Sequence, residues 1–449
     1  LLENFIISRI TAALPFVPNE GQKTVIESFA RFLLSGESRR AFILRGYAGT
    51  GKTSIVAALV KAMEQMQQHC TLLAPTGRAA KVMSRYAMHP AYTVHKCIYH
   101  PHQTEDVNNG GFSLGHNTAV NTLFVVDEAS MLSYRLLTDL LTFVFSTPDS
   151  KNSLLLLGDE AQLPPVGQDF SPALKAEYLR SYNIDVTEQT LTEVARQALD
   201  SGILSNATRI RQGGSMTLTE AEDVKLLLPN RFQETIEQAY NTDGIAETIV
   251  LTRSNRRANL YNQGIRAQIL WREEQIAAGD RLMVCRNNYF WTEQYDNLPF
   301  IANGDTLEVE RLSNEREMYG FHFIDAALRS LDYDWAIDAT LWLDTLFTPS
   351  PDDNNAMLQQ LYDRVGEDYA DERNAEKRDK LIRQSPYFNA LQVRFAYAVT
   401  CHKAQGGQWD NVFIDEGVQI EGMSDTEQRR WLYTALTRAK KRLWKVGSL

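Results

Sequence analysis

The stretch Gly46–Thr53, GYAGTGKT, lies between the apolar run Ala41–Leu44 and the helical run SIVAALVKAM. It fits G-x-x-x-x-G-K-[ST] in the strand-to-helix setting that makes the pattern specific, which commits the chain to an α/β fold. Gly46, Gly49 and Gly51 let backbone N–H groups wrap phosphate oxygens, with Ala48, Thr50 and Ser54 in the same loop. Lys52 would reach the outer phosphates, and the Thr53 hydroxyl would ligate Mg²⁺ at a helix N-terminus. The stretch implies a nucleoside triphosphate site and leaves open what cleavage would drive.

From Gln22 to Val166 apolar runs alternate with amphipathic ones. RRAFILRG, CTLLAPT, NTLFVVDE and NSLLLLGD read as buried strands, and KTSIVAALVKAMEQM and GRAAKVMSRYA as helices. This alternation predicts an open parallel sheet with helices on both faces and ligands at the C-terminal strand ends. A second set appears late: ETIVLTRSN, RFAYAVTCHKAQG, NVFIDEG and RRLWKVG as strands, with helices in RRANLYNQGIRAQIL and EQRRWLYTALTRAKK. NGDTLEVERLS and YGFHFIDAAL read as antiparallel strands interrupting it, followed by a charged helical piece at Leu358–Gln384. A small inserted domain is therefore expected at Thr306–Gln392. A shorter insertion, Ile98–Asn121, carries NNGG, a hairpin turn signal.

At 449 residues the chain exceeds what a single core serves, so several domains are expected. A net charge of -10 argues only weakly against nucleic acid, because a local basic groove suffices to hold a strand. Four cysteines without a C-x-x-C pair disfavour a disulfide framework. No apolar run approaches the about 20 residues of a membrane helix. The first residues carry an early acid and no small-residue cleavage pattern. The expectation is a cytoplasmic protein with no membrane partner.

The run TLFVV leads into Asp127 and Glu128. Alone, such a pair is ordinarily a solvated strand end. Beside a phosphate loop it reads as a Walker B pair, Asp127 holding Mg²⁺ through water and Glu128 polarising the attacking water. In GDEAQLPPV, Gln162 falls just past another strand end, where its amide could touch both the γ-phosphate and that water; otherwise the segment is a proline-stiffened loop. Arg196 in LTEVARQ and Arg438 in LYTALTRAK could neutralise charge on the transferred phosphoryl group, although a lone helix arginine is more often solvated or ion-paired.

Taken in order, Gln22, GYAGTGKT, APTGRAAK, TVHK, DEAS, GDEAQLPPV, LTEVARQ, LTRSN, VTCHKAQG and LYTALTRAK resemble the ordered motif set of superfamily-one helicases. Within these the chain is most similar to the group B, RecD-like and Dda-like branch, which translocates five-prime to three-prime. The resemblance implies two RecA-like P-loop motor domains, parallel sheets flanked by helices, with a hairpin insertion and an SH3-like β insertion. The first motor domain would be 1–97 and 122–198, the hairpin pin or wedge 98–121, the second motor domain 199–305 and 393–449, and the SH3-like domain 306–392.

By the same resemblance Gln22 would read adenine, Lys52 and Thr53 would hold phosphate and Mg²⁺, and Asp127 and Glu128 would ligate metal and activate water. Gln162 would sense the γ-phosphate, and Arg196 and Arg438 would act as arginine fingers. Pro75, Thr76, Gly77, Arg78, Lys81, Thr93 and His95 would bind the strand on the first domain, and Asn255, Thr400, His402, Lys403 and Gln405 on the second. Hydroxyls, amides and helix N-termini suit phosphate contacts that position a strand without reading its sequence. The implied activity is ATP- and Mg²⁺-dependent movement on single-stranded DNA and opening of duplex junctions. The chain would act as a monomer, with repair or recombination proteins as further candidate partners.

Other readings stay open. The chain could be the RecD-like motor subunit of a recombination or repair exonuclease complex, or a P-loop kinase acting on a small molecule, although a kinase needs neither VTCHKAQG nor LYTALTRAK. Cys97, His100, His102 and His116 could form a zinc site, but their spacing matches no common zinc module. Phe112 is the expected apolar tip of the pin. Tyr289, Phe290, Trp291 and Tyr295, near Arg286, could stack bases or pack a domain join.

Overall fold

A computed structural model describes residues 1–101, 112–147, 149–193, 200–293, 295, 298, 300–348, 351–415, 417 and 423–447. Two compact units emerge: Leu1–Leu226 with Ala404–Gln408 and Ile420–Leu443, and Leu227–Lys403 with Trp409–Gln419 and Trp444–Leu449. Through the first unit the chain forms α1 (Leu2–Ala13), α2 (Glu20–Leu34), β1 (Arg40–Gly46), α3 (Lys52–Gln65), β2 (His69–Ala74), α4 (Gly77–Ala87), β3 (Ala91–Thr93), α5 (Val94–Ile98), β4 (Tyr99–Pro101), β5 (Phe112–Leu114), β6 (Thr122–Val126), α6 (Tyr134–Val144), β7 (Ser153–Gly158), α7 (Ala176–Arg180), β8 (Asp185–Leu191) and α8 (Gly202–Arg211). There follow β9 (Val224–Leu227), α9 (Phe232–Asp243), β10 (Thr248–Thr252), α10 (Asn255–Gln268), β11 (Arg281–Val284), β12 (Thr306–Met318), β13 (Phe321–Ser330), β14 (Ala336–Trp342), α11 (Pro351–Glu367), α12 (Ala375–Arg383), β15 (Leu391–Phe395), β16 (Ala398–Thr400), β17 (Trp409–Asp415), α13 (Asp425–Leu436) and β18 (Ala439–Val446).

The first unit is built on a six-stranded sheet in the order β3-β2-β6-β7-β1-β8. Every pairing is parallel, and Arg40 aligns with Ser153 of β7 on one side and Asp185 of β8 on the other. β6 and β7 are buried at every position, as strands covered on both faces must be. The strand period of two then divides the core. Phe42, Leu44, Leu72, Val125 and Leu155 pack with Phe29 of α2 and Leu59 of α3. Their neighbours Ala41, Ile43, Leu73, Val126 and Leu156 pack with Leu137 and Leu140 of α6. Because the strands are parallel, the loops after β1, β2, β6 and β7 emerge at one edge of the sheet, and these loops carry the P-loop, APTGR, Asp127-Glu128 and GDEAQ.

β4 and β5 form a separate antiparallel pair, from Tyr99 opposite Leu114 to Pro101 opposite Phe112. This ladder lies where the hairpin insertion is expected; the NNGG turn falls in 102–111, outside the described residues.

In the second unit β10 lies parallel between β16 and β17. The Trp444 ring stacks on Phe413 at 4.5 Å, and Gly447 N–H donates to Leu227 O. Beside it β11-β12-β13-β14-β15 close into a barrel, antiparallel except for β14 against β15. Met318 pairs with Phe321 across the two-residue turn Tyr319-Gly320. Both turn residues have positive φ, 55° and 69°, the type I′ geometry that matches strand twist. The barrel thus draws in Arg281–Val284, upstream of Thr306, and the charged stretch after it forms two helices, α11 and α12, rather than one. Trp291 and Tyr295 pack against this unit's core, and Trp291 Nε1 donates to Asn389 O at 2.8 Å, so these two aromatics serve packing.

Among the described residues no helix is long and apolar enough to cross a membrane.

Candidate nucleotide site

The P-loop leaves β1 and enters α3 through two residues in the left-handed region, Gly49 (φ 76°) and Gly51 (φ 84°). A Cβ on Gly51 would meet Gln22 Nε2 at 2.7 Å, and one on Gly46 would meet the Lys52 stem at 2.8 Å, so these positions require glycine. Lys52 Nζ donates to the carbonyls of Gly46 and Tyr47. Thr53 and Ser54 open α3, Thr53 exposed and Ser54 half-buried, with Thr50 fully buried behind them.

Gln22 is held at both ends of its amide. It forms a capping box with Asn19 at the start of α2, accepting from Asn19 N at 3.1 Å, and its Nε2 donates to Thr50 O at 3.2 Å. Its side chain therefore links the α2 cap to the P-loop.

Asp127 and Glu128 follow β6 directly. Asp127 Oδ2 accepts from the Tyr86 hydroxyl at 2.6 Å and Oδ1 from Glu128 N at 2.8 Å. Glu128 adopts a left-handed φ of 51°, a conformation that costs a non-glycine residue about 1–2 kcal/mol and is concentrated at functional sites. Burial raises the Glu128 carboxyl above its usual range; Arg438 opposes the shift, Asp127 reinforces it, Lys52 opposes it and Asp159 reinforces it. Arg438 Nη1 stands 3.7 Å from Glu128 Oε1 with its side chain almost fully buried. It is fixed there by donating to Thr434 O, Gly407 O and Thr437 Oγ1.

The loop after β7 places Gln162 as a buried side chain whose Oε1 has no hydrogen-bond partner. An orphaned buried acceptor of this kind calls for a ligand or water. The loop is shaped by Asp159, which accepts from Ala161 N through Oδ1 and through its backbone carbonyl from Gln162 N. Asp159 Oδ2 also accepts from Tyr433 OH at 2.6 Å, and that same hydroxyl accepts from Ala48 N of the P-loop at 2.9 Å. Thr434 Oγ1 accepts from Leu163 N at 2.9 Å. Consecutive residues of α13 therefore brace the P-loop and the Gln162 loop, and Arg438 just beyond the helix reaches Glu128. Asp159 and Tyr433 were not singled out from the sequence, although both lie inside quoted motifs; a side-chain pair separated by 274 positions leaves no periodic trace.

The donor set fits a magnesium triphosphate. Thr53 and Asp127 offer the hard oxygens Mg²⁺ prefers. Among the described residues no group of three metal-ligating side chains is found; of the zinc candidates, His102 lies outside them, and burial pushes the Cys97 thiol up to about 11. Arg196 also lies outside the described residues.

The proposed strand contacts divide between the units. In the first, Thr76 caps α4 by accepting from Ala79 N, and Thr93 caps α5 by accepting from Lys96 N. Pro75 and Gly77 flank Thr76, and Lys81 follows one turn into α4. His95 is kept neutral by burial, its ring 5.6 Å from that of Tyr99. Residues 404–408 join this unit and bridge its two loop systems. Gln405 Nε2 donates to Leu163 O at 2.7 Å, Arg78 Nη2 donates to Gln408 O at 3.3 Å, and Gly406 lies so close to α4 that a Cβ would meet Ala79 Cβ at 2.7 Å. Gln405 is thus a buried link to the Gln162 loop. In the second unit Asn255 begins α10 after the Ser254 cap, Thr400 ends β16, His402 is held neutral by burial and Lys403 is exposed.

Residues 18–227 match an AAA domain, and residues 395–446 match a UvrD-like helicase C-terminal domain. The chain is 25% identical over 453 residues to an ATP-dependent RecD2 DNA helicase of Deinococcus radiodurans, covering 96% of this chain and 50% of that protein. It is 21% identical over 445 residues to the RecD subunit of the RecBCD enzyme of Buchnera aphidicola, covering 89% of this chain and 69% of that one. The chain thus spans about half the length of the RecD2 relative. A solved structure of Pif1 helicases at forked duplex DNA shares the fold, with a TM-score of 0.50, 16% identity and coverage of 96% of this chain and 92% of that one. The ordered motifs and these matches together make the chain similar to the superfamily-one, group B helicases of the RecD-like branch.

Proposed function

We propose that this chain is a DNA-dependent ATPase that uses hydrolysis at the P-loop to move along single-stranded DNA, probing and opening duplex junctions in the five-prime to three-prime direction. One observation carries the coupling: residues 404–408 touch both the Gln162 loop, through Gln405, and the start of α4, through Gly406 and Gln408. A change at the γ-phosphate felt by Gln162 therefore has a direct route to Thr76 and Arg78, where a strand would be held.

In this reading Lys52 and Arg438 neutralise the triphosphate, Glu128 takes a proton from the attacking water and Gln162 orients that water. Mg²⁺, held by Thr53 and Asp127, supplies charge stabilisation at the phosphates. Arg196 is assigned the second finger by position in LTEVARQ. Pro75, Thr76, Gly77, Arg78, Lys81, Thr93 and His95 form one strand surface, and Asn255, Thr400, His402 and Lys403 the other. The division into two motor domains with a pin at 98–121 and an SH3-like domain at 306–392 is part of the same proposal, with the barrel extended to β11 and β15 and with 404–408 and 420–443 grouped with the first unit. A motor subunit of a larger RecD-containing assembly is the second reading, favoured by the match across 69% of a RecD subunit.

The test is ATPase activity with and without single-stranded DNA, together with unwinding of matched five-prime-tailed and three-prime-tailed duplexes of DNA and RNA. Strand-stimulated hydrolysis that Lys52→Ala abolishes, and opening of the five-prime-tailed DNA, are expected. Equal hydrolysis without DNA sinks the coupling, and opening of only the three-prime tail sinks the polarity.

A further inference from the structure

Arg211, the last residue of α8, carries an interaction that neither the motifs nor the mechanism above uses. Its guanidinium carbon lies 3.6 Å from the centroid of the Tyr47 ring, the second residue of the P-loop. Its Nε is buried with no hydrogen-bond partner, and among the ion pairs of the described residues none involves it.

The ordinary role of an arginine ending a helix is to satisfy the last carbonyls and the helix dipole. Here the last carbonyls have other donors: Gln212 N–H donates to Thr208 O, Gly214 N–H to Arg209 O, and Gly213 N–H and Arg429 Nη1 of α13 to Ile210 O. The Arg211 guanidinium instead sits over a P-loop aromatic ring, a contact that orients the group while leaving N–H donors for an anion. A buried donor without an acceptor is costly in a folded chain unless a ligand supplies the acceptor.

The edge of the P-loop that Arg211 covers is the hydrolytic one. The neighbouring residue, Ala48, donates to Tyr433 OH, and that hydroxyl donates to Asp159. The positive charge of Arg211 also reaches Tyr433, and the charge of Asp159 reaches Glu128. Lys52 Nζ donates to the carbonyl of the same Tyr47, so Arg211 and the lysine that would reach the outer phosphates meet at one residue of the loop.

We infer that Arg211 is a third arginine of the triphosphate site, contacting the terminal phosphate from the Tyr47 side and so distinguishing a nucleoside triphosphate from a diphosphate. This rests on the reading of the P-loop as an ATP site. It goes beyond that reading by assigning γ-phosphate discrimination to a residue outside every recognised motif.

The experiment compares binding of ADP and of the non-hydrolysed analogue AMP-PNP, with Mg²⁺ and without DNA, to the full chain and to Arg211→Ala, Arg211→Lys and Tyr47→Leu. Loss of one charge-assisted contact to phosphate should weaken AMP-PNP about tenfold or more in Arg211→Ala, with ADP affinity changed by less than about twofold. Arg211→Lys should recover part of the loss, and Tyr47→Leu should give a smaller, equally analogue-specific defect. Equal loss of both nucleotides, which packing alone would produce, overturns the proposal, as does no loss of either. If Arg211→Ala is unfolded by circular dichroism, the Lys variant decides: unchanged AMP-PNP-to-ADP discrimination there overturns it. A wild-type chain that binds neither nucleotide overturns the ATP-site reading itself, an outcome distinct from a defect shared by both nucleotides.

Discussion

Glu128 is the residue where function and stability conflict. Its carboxyl is buried beside Asp127 and Asp159, with Arg438 and Lys52 opposing them, and its folded pKa lies above the ordinary carboxylate value. A group raised on folding binds more protons in the folded state, so its contribution to stability is present at low pH and is lost as pH rises through the folded value. Glu128→Gln, which mimics the protonated form, is therefore expected to raise Tm at pH 8 while removing hydrolysis, and the gain should shrink as pH is lowered. Thermal unfolding of both proteins between pH 4 and 8 checks this; a gain that grows toward acid contradicts the assignment. For the same reason the acidic limb of the kcat profile should lie above the usual carboxylate range.

Gln22 shows how far one residue can be read in advance. Its position before the P-loop is legible from the motif order, but its hydrogen bonds to Asn19 and Thr50 are not. They tie the glutamine to loop geometry, so Gln22→Ala is expected to weaken ADP binding and to lower the stability of α2 through loss of the capping box, by about 1 kcal/mol. A variant that altered only the preference among nucleoside triphosphates, with stability unchanged, would show that base reading is its whole role.

At the scale of elements, α13 organises the site. Its start is a capping box, Ser424 with Glu427, and its successive inward residues meet different loops: Tyr433 the P-loop and Asp159, Thr434 the Gln162 loop. Tyr433→Phe removes a buried hydroxyl, and leaving Ala48 N–H without its acceptor and Asp159 Oδ2 without its donor should cost about 1–3 kcal/mol. Thr434→Val keeps the shape but leaves Leu163 N–H without an acceptor, and it should lower kcat more than it raises KM by loosening Gln162. Steady-state kinetics of the two variants separates the effects: a Thr434→Val defect confined to KM would mean that the Gln162 loop does not depend on α13. The helix itself is evident in EQRRWLYTALTRAKK from its apolar spacing. Which loops its side chains would meet is not, because partners hundreds of residues away impose no period on it. The barrel makes the same point differently. β12 and β13 are visible as alternating runs, whereas β11 is a four-residue piece whose membership depends on closure with β15.

At the scale of the whole molecule, the first compact unit gathers residues from both ends of the chain, with 404–408 and 420–443 joining 1–226. Nucleotide binding should therefore be felt by α13 as well as by the P-loop. Hydrogen exchange in the presence of ADP and Mg²⁺ is expected to slow in α3, in the loop after β7 and in α13, while the barrel strands β12–β14 are unchanged. Protection confined to the P-loop and α3 would contradict the linkage through Tyr433.

The sequence by itself determined the parallel sheets, the glycine-rich loop between β1 and α3, the acidic pair after β6 and the order of motifs. These follow from short-range rules: strand and helix periods, glycines at tight turns and carboxylates at strand ends. The motif resemblance also singled out Arg438 as a candidate finger, but not its Glu128 partner or the carbonyls that fix it. Those pairings, the Tyr433 bridge, the Arg211 stack on Tyr47, the attachment of residues 404–408 to α4 and the closing of the barrel were decided only by the tertiary structure. Each depends on where packing brings side chains far apart in the chain, and such contacts are set by the three-dimensional fit of the cores rather than by any local pattern.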